Sequence, residues 1–173
     1  MRQEWKLKES DLKLIRELIR NSRKSDRELS KLLSVSQPTV SRNRQRLERQ
    51  GLIEYTGLPN LSKLGIEIIA ITFGNWKLDL YPDTQLTAAK AFAEKHPNLI
   101  FLSSGRGLGS DRVAITVHRN YSDYAKFLLE VKSDWGKFMG VTGSFLISLS
   151  SDDPIRAFSF KYVMDYLKNQ EQE

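Results

Sequence analysis

An α+β chain of two modules is predicted by three features of this 173-residue sequence. Apolar residues recur at helical spacing, with caps, over the first fifty positions; a strand-helix-strand-strand-helix-strand order follows residue 60; and the excess positive charge is confined to the first part. Residues 1–60 hold 14 Lys and Arg against 8 Asp and Glu, whereas residues 61–173 hold 13 of each. The net charge of +6 therefore belongs to the N-terminal module, which suits a polyanionic partner, while the neutral remainder suits assembly or ligand binding. With 40% hydrophobic and 28% charged residues the chain has the composition of a folded domain rather than a disordered one. The absence of cysteine excludes a disulfide framework, a thiolate nucleophile and a cysteine zinc site. Apolar runs such as Ile66 to Phe73 fall far short of the roughly 20 residues of a membrane helix, and MRQEWKLKESD has no apolar signal-peptide core, so the expected location is cytoplasmic, with no membrane partner.

In the first module, Leu12, Ile15, Leu18 and Ile19 follow Ser10 and Asp11, which read as a cap and an acidic first turn, and predict a first helix over Asp11 to Asn21. Ser25 and Glu28 form a capping box ahead of Leu29, Leu32 and Leu33, a second, short helix. After a three-residue break, Ser34 to Ser36, a third helix runs from Gln37 to Gln50, with Ser36 as N-cap, Pro38 in the first turn and Gly51 as the C-terminal stop. Two short helices joined by a tight turn around Leu29, Val35, Val40 and Leu47 predict a helix-turn-helix, the later helix being the reader. If Val40 and Leu47 face inward, Gln37, Ser41, Arg42 and Gln45 lie outward, where Gln and Arg offer bidentate hydrogen bonds to adenine and guanine. Lys24, Arg27, Arg46 and Arg49 flank this face and suit phosphates. LIEYTGLPN, after Gly51, reads as a wing or a strand leading out of the module.

The stretch SDLKLIRELIRNSRKSDRELSKLLSVSQPTVSRNRQRLERQGLIEYTG resembles the DNA-binding domain of the Lrp/AsnC family of prokaryotic regulators, in an archaeal-like form. TVSRNRQRLERQGLI, Thr39 to Ile53, is the most specific part. The resemblance implies a winged helix-turn-helix on promoter DNA, with Ser36, Thr39, Ser41 and Arg42 at the family's recognition-helix positions. Arg44 departs from the pattern, standing where the family has Ile or Val; its stem is expected to pack while the guanidinium reaches the edge.

In the second module, Ile66 to Phe73 reads as a strand, Thr84 to Lys95 as a helix with Leu86, Ala89, Phe92 and Ala93 inward, and Leu99 to Ser103 and Val113 to Val117 as strands separated by GRGLGSD. A helix over Tyr121 to Lys132, with Tyr124, Phe127, Leu128 and Val131 inward, and a strand over Val141 to Leu149 complete a ferredoxin-like βαββαβ order. The fold class is thus α+β, a winged helix-turn-helix (1–60) followed by a ferredoxin-like domain (61–150) and a C-terminal extension (151–173). Lrp/AsnC proteins are similar here, and the likeness, over about residues 9 to 150, implies dimerisation and an amino-acid or other small-molecule effector near Gly105, Gly107 and Asp111. One sheet face left bare by helices would expose Ile68, Ala70, Thr116 and Ile147, which predicts a homodimer or a larger closed assembly.

Other patterns carry less. GRGLG precedes a strand rather than a helix, so it reads as a hairpin and not a phosphate loop. His96 and His118 have no partner at catalytic or metal-ligand spacing. Asp152 with Asp153 reads as a helix start, the tail around Phe158, Phe160 and Tyr162 is ambiguous between helix and strand, and Trp5, Trp76 and Trp135 read as packing or interface residues. No catalytic residues, metal or cofactor are expected. The leading expectation is a sequence-specific regulator of double-stranded DNA; the alternative is a metabolite-binding protein or enzyme whose winged helix is an interaction module.

Overall fold

The computed structural model describes residues 7–77, 82–150 and 159–163. The chain divides into two compact units, one of Met1–Leu58 with Arg156–Glu173 and the other of Pro59–Ile155. Trp5, Asp152, Asp153 and Phe158 lie outside the described residues.

The first unit is built of α1 (Glu9–Arg20), α2 (Asp26–Leu33) and α3 (Gln37–Arg49). Helix α1 starts earlier than its apolar pattern suggested: Lys8 is the N-cap and the Asp11 carboxylate accepts its N–H at 3.2 Å, so Ser10 is not the cap. The capping box of α2 forms as expected, Ser25 Oγ accepting the Glu28 N–H and Glu28 Oε2 accepting the Ser25 N–H. Helix α3 ends in a Schellman arrangement, Gly51 taking φ +64° while its N–H reaches Glu48 O and the Leu52 N–H reaches Leu47 O. Leu14, Leu18, Leu29, Val40 and Leu47 are at most 2% exposed and form the core. Residues 53–60 form no strand, so the wing is an irregular extended segment. Phe160–Tyr162 is a single 3-10 turn capped by Ser159 rather than a strand.

The second unit runs β1 (Ile68–Trp76), α4 (Pro82–Lys95), β2 (Leu99–Gly107), β3 (Ser110–His118), α5 (Tyr121–Asp134) and β4 (Met139–Ser148). The four strands form an antiparallel sheet in the order β2-β3-β1-β4, the ferredoxin-like topology. GRGLGSD is mostly strand: β2 and β3 extend to a two-residue turn in which Leu108 and Gly109 have φ +52° and +68°. Asn75 of β1 braces that turn, its Nδ2 donating to Gly109 O at 2.8 Å and its Oδ1 accepting the Asp111 N–H at 2.8 Å. At the bulge after Phe73, a Cβ on Gly74 would meet Gly140 O at 2.8 Å, so this close strand approach requires glycine.

Alternation along the strands decides which face each helix covers. Ala70, Thr72 and Gly74, with Ala114, Thr116 and His118 of β3, point to the helix side, where Phe92, Phe127 and Val131 form the core. Ile69, Ile71, Phe73, Val113, Ile115 and Val117 point to the other side. The expected apolar patch is therefore out of phase: Ala70 and Thr116 are fully buried and Ile68 shares their face, leaving Ile147 alone of the four on the bare face. A strand has a period of two, so an error of one residue exchanges the faces. The α4 face also differs from expectation: Phe92 is buried, but Leu86 is 57% exposed and Ala93 is exposed.

Two histidines sit inside this core. His96 packs tilted against Phe92 and edge-on against Phe127, and its Nε2 is buried without a hydrogen-bond partner. His118 pairs its Nε2 with Thr116 Oγ1 at 2.8 Å, its Nδ1 lying 3.7 Å from Asp123 Oδ2. Burial pushes both below the ordinary value of 6.5, with Asp123 only partly opposing this for His118. The unfolded chain therefore takes up protons near 6.5 that the folded chain refuses, so stability is flat above that pH and falls as pH drops through it toward the lower folded-state values. The urea midpoint, followed by tryptophan fluorescence, should fall between pH 7.5 and 5.5 (about one unit either side of a free histidine), and His96→Phe should flatten that fall.

Candidate nucleic-acid interface

Helix α3 separates two faces by its own period. Val40 and Leu47 are at most 1% exposed, and on the far side Gln37, Arg42, Gln45 and Arg49 are exposed. The N-terminus of α3 is organised by hydroxyls: Ser36 Oγ caps the Thr39 N–H at 3.4 Å and bonds Thr39 Oγ1 at 2.8 Å. Ser36 and Thr39 thus set the helix start, and Thr39 and Ser41 are half-buried beside the exposed row. Arg42 Nε donates to Pro38 O and Arg49 Nε to Gln45 O, each at 3.3 Å, which lays both side chains back along the helix. Between α2 and α3, Ser34 takes φ +54° and closes the tight turn, the Val35 N–H reaching Ser30 O at 3.1 Å.

The four cations assigned to phosphates divide into two pairs. Arg27 and Arg49 are exposed on α2 and α3. Lys24 is ion-paired with Glu17 of α1, whose carboxyl it holds below the usual range. Arg46 bonds Asp11, a carboxylate only 1% exposed. The latter two cations hold helices together. Arg44 joins them: its Nη2 donates to Lys24 O at 2.8 Å and its Nη1 lies 3.2 Å from Asp26 Oδ1, so the guanidinium ends on the start of α2 rather than in water. The pairing of Arg46 had one sequence signal, since Asp11, Ile15 and Leu18 share a stripe on α1, and a carboxylate on an apolar stripe demands a cation. Exposed Arg23 and Lys31 complete the positive surface around α2.

In the second unit, Gly105 and Gly107 lie exposed on β2, where an added Cβ would meet nothing. Asp111 Oδ1 accepts the Trp76 N–H at 3.2 Å, so this carboxylate is engaged in holding the strand end. No helix among the described residues is long and apolar enough to cross a membrane.

Residues 7–54 match the winged helix-turn-helix DNA-binding family. No curated protein matches the chain. Among solved structures, the chain is similar to the Neisseria meningitidis transcriptional regulator NMB0573 in complex with L-Met, at TM-score 0.74 and 17% identity over 93% of this chain and 99% of that one. It is likewise similar to an AsnC family transcriptional regulator from Agrobacterium tumefaciens (TM-score 0.73, 15% identity, 93% and 99% covered). Bacillus subtilis LrpC is similar at TM-score 0.69 and 23% identity, over 88% of this chain and all of that one.

Removing the Arg46 guanidinium leaves a buried carboxylate facing a void. Arg46→Ala should destabilise the first unit by about 1.5–3 kcal/mol, the range for hydrogen bonds to charged groups, and Asp11→Ala should remove most of that sensitivity. A double-mutant cycle in urea measures it, and additive losses would show the pair to be uncoupled. The chain thus joins a winged helix-turn-helix to a ferredoxin-like βαββαβ domain, the fold of regulators of the Lrp/AsnC type.

Proposed function

We propose that the chain is a sequence-specific transcription regulator of the Lrp/AsnC type that binds double-stranded DNA as a cytoplasmic homodimer or larger closed assembly. The exposed row Gln37, Arg42, Gln45 and Arg49 on α3, backed by buried Val40 and Leu47, carries this reading. Gln37, Arg42 and Gln45 read base edges, with Ser41 beside them, while Ser36 and Thr39 fix the helix start. Arg27 and Arg49 take phosphates; Lys24 and Arg46 serve DNA through the scaffold they hold. The L-Met complex of the Neisseria regulator supports an amino acid as effector, with the Gly105 to Asp111 hairpin as its candidate contact.

Selection of genomic fragments followed by gel-shift titration tests the reading. Wild type should enrich a common sequence, and Arg42→Ala should weaken that site by about 1–3 kcal/mol while barely changing binding to random DNA. Equal losses on both would make Arg42 a phosphate contact, and no enriched sequence would overturn the reading.

Assembly follows from the bare sheet face. In register, Phe101, Ile115, Ile71 and Phe145 form one apolar row, and Val117, Ile69 and Ile147 the next, with Phe101 and Phe145 48% and 64% exposed. Two such faces packed about a two-fold axis would present two α3 helices to an inverted repeat whose half-sites lie about one DNA turn, or a multiple, apart. At micromolar concentration the wild type should sediment as a dimer or larger, and Ile71→Lys, with a charge in the centre of the face, as a folded monomer. A monomeric wild type would sink this assignment.

A further inference from the structure

Arg44 leaves α3 from between two residues of the outward row. Arg42 and Gln45 are exposed, whereas Arg44 is half-buried, its side chain 20% exposed. One turn after Val40 and three residues before Leu47, it shares the inward stripe of the helix, where a branched apolar side chain would pack against α2 at no desolvation cost. The arginine that stands there has its Nε buried without a hydrogen-bond partner. Glu48, one turn further along α3, accepts a hydrogen bond from the Tyr55 phenol, and the Arg44 guanidinium crosses to α2. There Nη2 donates to Lys24 O at 2.8 Å, and Nη1 lies 3.2 Å from Oδ1 of Asp26, a side chain 22% exposed. Lys24 precedes the N-cap Ser25 and Asp26 follows it, so one planar group grips the chain on both sides of the cap.

The place of this grip links two kinds of DNA contact. Arg27, exposed beside Asp26, stands at the start of α2, while Arg42 and Gln45 stand on either side of Arg44. Phosphate contacts set the register of a protein on the duplex, and base contacts read within that register. The apolar core of Leu29, Val40 and Leu47 holds the two helices together, but apolar burial is non-directional and leaves small shifts between them cheap. A guanidinium on two acceptors fixes distance and angle together. As a source of stability such a pair is poor, because desolvation offsets the attraction and apolar side chains of like volume do as well or better. What it adds is geometry.

We propose that Arg44 and Asp26 are a positioning pair that sets the offset between Arg27 and the base-reading row of α3, and thereby the selectivity of DNA binding rather than its strength. This role rests on the DNA-binding reading of α3, and neither residue touches DNA itself.

Arg44→Ile combined with Asp26→Asn removes the pair as a unit and tests the role in the full chain. The urea midpoint should stay at or above that of wild type, and affinity for random DNA and its salt slope should hold. The ratio of selected-site to random affinity should fall about tenfold or more, the cost of one mismatched base pair. Arg44→Lys keeps the charge without the fork and should lose the same selectivity, which also covers a double variant that does not fold. Wild-type selectivity in either folded variant would overturn the proposal. So would a salt slope reduced by about one, the mark of a phosphate contact, or a fall in urea midpoint that accounts for the lost binding. If wild type itself enriches no sequence, the DNA-binding reading falls first and the pair's role with it.

Discussion

Strand β1 is paired on both sides and alternates small with large, and the second unit follows from that alternation. Ala70, Thr72 and Gly74 present almost no bulk to the helices, while Ile69, Ile71 and Phe73 present branched and aromatic bulk to the opposite side. On the helix side, the bulk comes from Phe92, Phe127 and Val131, which leaves space wherever the helices do not reach the sheet. On the bare side, large side chains line up across strands and lack only a cover. The helix-covered core and the bare apolar face are thus two outcomes of one period-two pattern.

The first unit obeys a different constraint. Among the described residues its buried apolar core is only six side chains, so helix positions are also fixed by charge. Glu17 to Lys24, Lys24 carbonyl to Arg44, Arg44 to Asp26, and Asp11 to Arg46 run as a belt through all three helices. A helix rich in arginine carries both an exposed cationic face and its own attachment, and which role each guanidinium takes depends on the helix face from which it leaves. Arg42 and Arg49 face outward; Arg44 and Arg46 face α2 and α1.

Much of this was legible in the sequence because local rules fix it. The Ser25–Glu28 box, the Ser36 cap and Gly51 mark the ends of α2 and α3 within a residue, and the strand-helix order specified the ferredoxin-like topology. Outward Gln37, Arg42 and Gln45 on α3 followed from Val40 and Leu47 alone, whereas Ser41 is half-buried. What sequence could not supply were facts set by partners distant along the chain. Arg46 lies 35 residues from Asp11, and the phase of β1 depends on which face two remote helices cover. Ile66 to Phe73 is apolar on both faces, so its composition held no sign of the choice. The exposure of Leu86 and Ala93 was equally hidden, since with Ala89 and Phe92 they form a regular stripe.

Leu108 bears on how the sheet assembles. Turns with two left-handed residues are normally nucleated by Asn or Gly, and here a bulky leucine occupies the first such position, 77% exposed and with no packing to reward it. A hairpin with this turn has little tendency to close by itself. The turn is braced by Asn75, which belongs to β1 and reaches it because β1 lies beside β3. The hairpin that is nearest in sequence therefore draws part of its turn geometry from a strand some forty residues away, β1 paired beside β3.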